Sequence, residues 1–278
     1  MSHLFLRFST LAALVLALLP SGLARGADDS KPAGQMIPLG DFGADEMAYI
    51  SIPATPPSVG IVMVPDAFGL DNFTKAEANR LANMGYLVLA VDIYNGQQLT
   101  DPGYLANMVA NLDAATVLKT INAGVRLLNE SPTFHTGHVV VMGWGTGATY
   151  VFEEARDNKT LDGAIMFYGP APQQQTEIQK FAAPVCALYP DSDPVATHDT
   201  VQTFQHRMKE AGNDFEAWYI AAGSGWSEPK SKNYNPVEDG EAWKVAQPFL
   251  TRIAAEPARA KNPSLIDQAK NKIQDLFQ

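Results

Sequence analysis

The stretch Val139-Val140-Val141-Met142-Gly143-Trp144-Gly145-Thr146-Gly147 decides how this chain is read. Four consecutive apolar residues predict a strand covered on both faces, as in a parallel sheet. The glycine-spaced run Gly143–Gly147 follows at once. That is the strand–turn–helix setting of a nucleophile elbow, whose usual form is Gly-x-Ser-x-Gly or Gly-x-Cys-x-Gly. Such an elbow holds its middle residue in a strained backbone conformation above the sheet. Its glycines let the chain pass close to its neighbours. Here the middle residue is Gly145, which has no side chain. The frame for acyl transfer is expected, and its attacking atom is missing.

Working outward, apolar runs alternate with helical patterns. Strands are predicted at Met47–Ile52, Gly60–Val64, Tyr86–Asp92, Val139–Met142, Ala164–Tyr168, Val185–Tyr189 and Phe215–Ile220. Helices are predicted at Lys75–Met84, Tyr104–Leu128, Thr146–Arg156, Thr200–Ala211 and Glu241–Ala254. Asn72 or Thr74 would cap the first helix, with Glu77 completing a capping box. Strand–helix alternation with short connections implies an α/β fold, a mostly parallel central sheet with helices on both faces.

Residues 1–26 read as an export signal: Arg7, a short apolar run from Leu11 to Leu19, and small residues Ala24 and Gly26 before a cut at Ala27. The run is far below the roughly 20 residues of a membrane span. The expected location is the periplasm or the extracellular space, with no membrane attachment after cleavage. Loss of Arg7 and Arg25 moves the formal net charge from −10 to −12. An acidic surface argues against nucleic acid as a partner. The single cysteine, Cys186, lies in an apolar run and reads as a buried core thiol. Residues 27–45 read as a loose N-terminal arm, 46–254 as the catalytic-type domain, and 255–278 as a helical tail with an apolar stripe at Leu265, Ala269, Ile273 and Leu276.

Ligands of open α/β sheets bind outside the carboxyl ends of the strands. Those ends are Val64-Pro65-Asp66-Ala67-Phe68-Gly69-Leu70, the end of Gly85-Tyr86-Leu87-Val88-Leu89-Ala90-Val91-Asp92-Ile93-Tyr94, the elbow, Tyr168-Gly169-Pro170, Asp191-Ser192-Asp193-Pro194, and the loop around Ser224-Gly225-Trp226. In their order and spacing these motifs resemble the dienelactone hydrolase family of the α/β-hydrolase superfamily, over residues 46–254. The resemblance implies an α/β-hydrolase fold and an elbow Cys or Ser, an acid and a histidine. Carried over, the acid falls on Asp193, the nucleophile on Gly145 and the histidine on Ser224. An acidic residue that the family often places near the nucleophile falls on Asp66. Both reactive positions are therefore lost.

Acyl transfer needs a nucleophile and an adjacent base, and a serine cannot take and return a proton near neutral pH as imidazole can. A backbone oxyanion hole survives such losses, and the Thr146 N–H at a helix start would serve it. The Thr146 side chain reads as structural, Ser224 as a possible partner for Asp193 across the pocket. His198, five residues after Asp193, reads either as a displaced base or as an exposed or capping residue. His138 stands at the wrong end of its strand. Asp66, Asp191 and Asp193 lack the ligand pattern of a metal loop, so no metal and no cofactor are expected. Phe68, Tyr94, Trp144, Tyr168 and Trp226 cluster near strand ends. They either cap the core or, with Ala67, line a pocket for a small apolar or cyclic ligand, made roomier by Gly145 and Ser224.

Three functions are compatible with these readings. One is an exported pseudoenzyme that binds a small molecule or partner through the former active-site cleft. A second is an ester or lactone hydrolase with a non-standard mechanism, Asp66 or Asp193 directing water. The third is an interaction protein that works through its C-terminal helix.

Overall fold

The computed structural model describes residues 34–97, 102–130, 136–173, 178–179 and 181–258. The export-signal segment and the apolar stripe of the tail lie outside these residues. Eight strands, β1 (Gln35–Pro38), β2 (Met47–Ser51), β3 (Val59–Val64), β4 (Leu87–Val91), β5 (His138–Trp144), β6 (Gly163–Phe167), β7 (Val185–Ser192) and β8 (Phe215–Gly223), form one sheet in the order β1-β2-β4-β3-β5-β6-β7-β8. Its first two pairings are antiparallel and the other five parallel.

Among the described residues six α-helices connect and cover the strands: α1 (Asn72–Asn83), α2 (Pro102–Ala110), α3 (Ala114–Glu130), α4 (Thr146–Asp157), α5 (His198–Glu210) and α6 (Pro236–Ala255). Alternation within the apolar strands explains the two-sided cover. Val62, Val64, Val139 and Val141 belong to one buried cluster with residues of α3, α4 and α5, whereas Ile61, Met63, Val140 and Met142 belong to a second with residues of α1 and α6. Side chains of a strand point alternately to opposite faces, so a continuously apolar strand needs helices on both.

Several expectations are corrected. The stretch read as a loose arm supplies β1, with Ile37, Leu39, Phe42 and Ala44 buried. The long helix expected over Tyr104–Leu128 is two helices. Asp113 breaks it, because its carboxylate accepts from the backbone N–H and hydroxyl of Thr116 and so starts α3 afresh. Helix α1 is capped by Asp71, which accepts from Thr74 N–H at 2.9 Å, while Glu77 pairs with Arg80 instead of closing a capping box.

From β3 the chain crosses through α1 to β4 on one side, then returns through α2 and α3 to β5 on the other side of β3. The strand order reverses there, so a crevice opens between the carboxyl ends of β3 and β5. The register sets what faces it. Val64 pairs with Gly143 and Trp144 with Phe167, which lays Asp66, Gly145 and Tyr168 side by side one step beyond the ladder.

The glycines of the elbow have separate reasons. A Cβ on Gly147 would lie 2.4 Å from the carbonyl oxygens of Val64 and Pro65, and one on Gly143 would meet the Gly147 carbonyl carbon at 2.8 Å. A Cβ on Gly145 would touch nothing closer than the Tyr168 ring at 3.4 Å. Gly145 is constrained by its backbone alone, at φ 49° and ψ −110°. Replacing Gly147 with Ala is therefore expected to cost about 3 kcal/mol through overpacking, and Gly145→Ala about 1–2 kcal/mol through backbone strain. Urea denaturation of both variants checks the order; a larger loss at Gly145 would contradict this account of the elbow.

Candidate active site

Gly145 is the N-cap of helix α4 and has no side chain with which to cap its first turn. The Thr146 N–H, among the first four of the helix, has no intrahelical partner and carries the positive end of the helix dipole. Across the crevice, the turn after β3 is closed by Asp66. Its Oδ1 accepts from Phe68 N–H at 2.9 Å and its carbonyl from Gly69 N–H at 3.1 Å. Among the described residues the Ala67 N–H and the second carboxylate oxygen of Asp66 have no partner. Asp66 is half-buried, and its Cβ lies 3.7 Å from where a Gly145 Cβ would stand.

Tyr94 is brought in by the turn after β4. The Asp92 carboxylate accepts from Tyr94 N–H and from Gly96 N–H, folding that turn onto itself. The Tyr94 side chain is 5% exposed, yet its hydroxyl has no well-formed hydrogen bond. It faces the Thr146 side chain and the Asp66 carboxylate; burial first, and Asp66 second, hold its phenol well above the ordinary value. Tyr94 also walls an open groove of about 470 Å³ with Ile93, Met108, Leu112 and Val117 on its apolar side.

Tyr168 closes the other flank. It follows β6 at φ 43°, a strained conformation for a bulky side chain. Its ring lies over Gly145 and meets Trp226 edge-on, at 4.8 Å between centroids and 77°. The Tyr168 ring lies at ordinary van der Waals distance, 3.4 Å, from where a Gly145 Cβ would stand. Trp226 is fully buried, and Trp144 stacks on Phe167 at 5.0 Å. Both tryptophans back the site from within the core instead of forming its outer wall.

The remaining expected positions behave differently. The register pairs Ser192 with Gly223, so Asp193 and Ser224 are the next residues of neighbouring strands. No hydrogen bond joins them among the described residues. Asp193 turns its Oδ1 onto the N–H groups of Val195 and Ala196, both at 2.7 Å, closing its own turn. Ser224 is held through its carbonyl, which accepts from Asn233 Nδ2. His198 lies 2.7 Å from Asp191 and stacks on Tyr219 at 4.0 Å, an exposed pair that leaves Asp193 alone. His138 lies at the amino end of β5 beside Asp162, and His206 pairs with Glu210 on the surface. Cys186 is buried, and burial pushes its thiol well up. No group of three metal-ligating side chains occurs among the described residues.

One feature has no sequence signal: a set of carboxylates beneath the site that shares a single lysine. Lys230 Nζ lies 2.8 Å from Asp71 and 5.3 Å from the centre of the Phe68 ring. Glu228 is buried; its Oε1 accepts from Lys230 N–H while its Oε2 has no hydrogen-bond partner among the described residues. Burial, then Asp71, raises Glu228 to about 8. Burial, with Asp71 adding to it against the Phe68 N–H and Lys230, raises Asp66 to about 6. Only the close approach of the loop 224–235 to the start of α1 creates this set.

The dienelactone hydrolase family model matches residues 47–254, and the chain belongs to that family. A Bradyrhizobium protein named "Probable 2-oxo-3-(5-oxofuran-2-ylidene)propanoate lactonase" is 25% identical over 229 residues, covering 77% of this chain and 92% of that protein. Among solved structures, one titled m3DLH superposes with a TM-score of 0.67 at 19% identity, covering 80% of this chain and 99% of its own. The dienelactone hydrolase-like promiscuous phosphotriesterase P91 from metagenomic libraries gives 0.63 at 19% identity, covering 88% and 96%. These likenesses show the α/β-hydrolase fold.

A carboxyl whose native pKa lies above its unfolded value favours the folded state while it is protonated. That contribution is complete below about pH 4 and is lost as pH rises through the native value, about 6 for Asp66 and about 8 for Glu228. Glu228→Gln is therefore expected to raise Tm at pH 9 and to leave it nearly unchanged at pH 4.5. Thermal denaturation across that range tests this; a variant as pH-sensitive as the native chain would contradict it.

Proposed function

We propose that this member of the dienelactone hydrolase family binds a small carbonyl compound in the crevice over Gly145 and forms no acyl-enzyme. One observation carries the reading. The elbow keeps its strained backbone, at φ 49° and ψ −110°, and has no side chain to attack with. The donors that would hold a developing oxyanion are backbone groups, at Thr146 and Ala67, and they do not depend on the lost residues. A carbonyl oxygen can occupy the same place without reacting. The groove beside Tyr94 offers an apolar wall for the rest of the molecule. The N-terminal pattern of charge, apolar run and small residues supports export.

Among the described residues no histidine stands beside Gly145 to act as a base. Each of the three histidines among the described residues is engaged away from Gly145. Thr146, next to the elbow, faces a phenol, which cannot activate it as an imidazole would.

One observation favours a second reading, direct hydrolysis. Asp66 stands beside the carbonyl position, and its carboxyl is raised to about 6. A carboxylate with that value is mostly ionised at pH 7 and could direct a water molecule.

Hydrolysis of an activated aryl ester and of a small lactone by the purified chain separates the two. Turnover indistinguishable from that of the Asp66→Asn variant is the expected result. A saturable rate that falls about 100-fold or more in Asp66→Asn would establish the second reading and overturn the first.

A further inference from the structure

The open groove of about 470 Å³ has a lining of its own, apart from the crevice over Gly145. The turn after β4, helix α2 and the start of α3 supply it, and none of Asp66, Gly145 and Thr146 reaches it. Its volume falls within the roughly 300–1,000 Å³ of sites that take small organic ligands. One side is apolar, made by Ile93, Met108, Leu112 and Val117, with the Tyr94 ring beside them. Ile93 and Val117 are buried core residues, so the apolar side continues the core to the surface.

The polar side consists mainly of carboxamides. Asn95 and Gln97 come from the turn after β4, and Asn107 and Asn111 from α2 and the residue that follows it. Asn111 N–H donates to the Asn107 carbonyl at 3.1 Å, so the last turn of α2 sets these two side chains on one face. None of the four carboxamides has a hydrogen bond to another described residue, and each offers two donors and an acceptor. Among the described residues no lysine, arginine or histidine lines the groove. Its one carboxylate, Asp113, is held by the N–H and hydroxyl of Thr116. Tyr104 stands at the lip with 62% of its surface in water.

We propose that this groove binds a neutral glycoside with an apolar aglycone. The aglycone covers Met108, Leu112 and Val117, and the sugar hydroxyls bond to the carboxamides. A hydroxyl both donates and accepts, as a carboxamide does, so neighbouring hydroxyls match it in both senses. The Tyr104 ring gains by covering the C–H face of the sugar. An anionic ligand finds no cation here and meets Asp113 instead. The inference goes beyond the crevice reading and holds whether or not a carbonyl compound sits over Gly145.

NMR titration of the full chain tests this with the phenyl β-D-glucoside, β-D-galactoside and α-D-mannoside, with phenyl β-D-glucuronide and with phenol. At least one of the three neutral glycosides is expected to bind about tenfold or more tightly than phenol. The glucuronide is expected to bind about fivefold or more weakly than the glucoside. Amide signals of Thr116 and Val117 should shift with the glycoside. The double variant Asn107→Ala, Asn111→Ala should weaken the glycoside about tenfold and leave phenol unchanged; alanine is the better helix former, so α2 is kept. The comparison of ligands on the unaltered chain stands even if that variant fails to fold. Phenol binding as tightly as every glycoside would overturn the assignment and leave a plain apolar groove. So would a glucuronide equal to the glucoside, or shifts confined to residues 66 and 145–147. No binding of any of the three neutral glycosides would overturn it as well, and would leave the crevice reading standing.

Discussion

The structure depends on the close approach of helix α4 to the end of β3. Gly147 sits against the carbonyl oxygens of Val64 and Pro65 with no room for a methyl group. That contact drives the first turn of the helix down onto the sheet and leaves Gly145 at the crest between strand and helix. It also aims the free N–H groups of α4 into the crevice where the strand order reverses. The same backbone that would present a nucleophile therefore survives without one. Packing secures Gly143 and Gly147, whereas at Gly145 only the dihedral angles are demanding.

Hydrogen-bonding side chains and backbone groups surround that crest. Donors from α4 and Tyr94 face an acceptor on Asp66, and nearby carboxylates share one lysine. Burial lifts Asp66 and Glu228 toward neutrality. A cluster of this kind costs stability as the pH rises, and its retention beneath the site ties the loop 224–235 to the start of α1 through Lys230 and Asp71. The acid position, Asp193, is meanwhile spent on its own turn.

Much of the fold was legible because it follows from local pattern. Strands buried on both faces read as continuous apolar runs, and the elbow glycines mark the strand-to-helix turn. Misreadings came where one residue overrides a pattern. Asp113 splits an otherwise continuous helical periodicity by capping α3. The strand at Gln35–Pro38 is short, ends in proline and buries only Ile37, so its signal is that of a linker. The site was legible as a set of strand ends, but not as a set of contacts. That Tyr94 would face Thr146, and that Tyr168 would lean over Gly145, depends on strand order and register, which no local window contains. The same holds for the partnership of Glu228, Asp71 and Lys230, formed by segments about 160 residues apart.

The central claim is that the elbow is intact and has no nucleophile. Its most direct test is intact-protein mass spectrometry after prolonged exposure to a fluorophosphonate, a reagent that captures activated serine, threonine and cysteine at such elbows. The account predicts an unchanged mass for the native chain. A stoichiometric adduct mapped to Thr146, Ser224 or any other side chain of the crevice would contradict it.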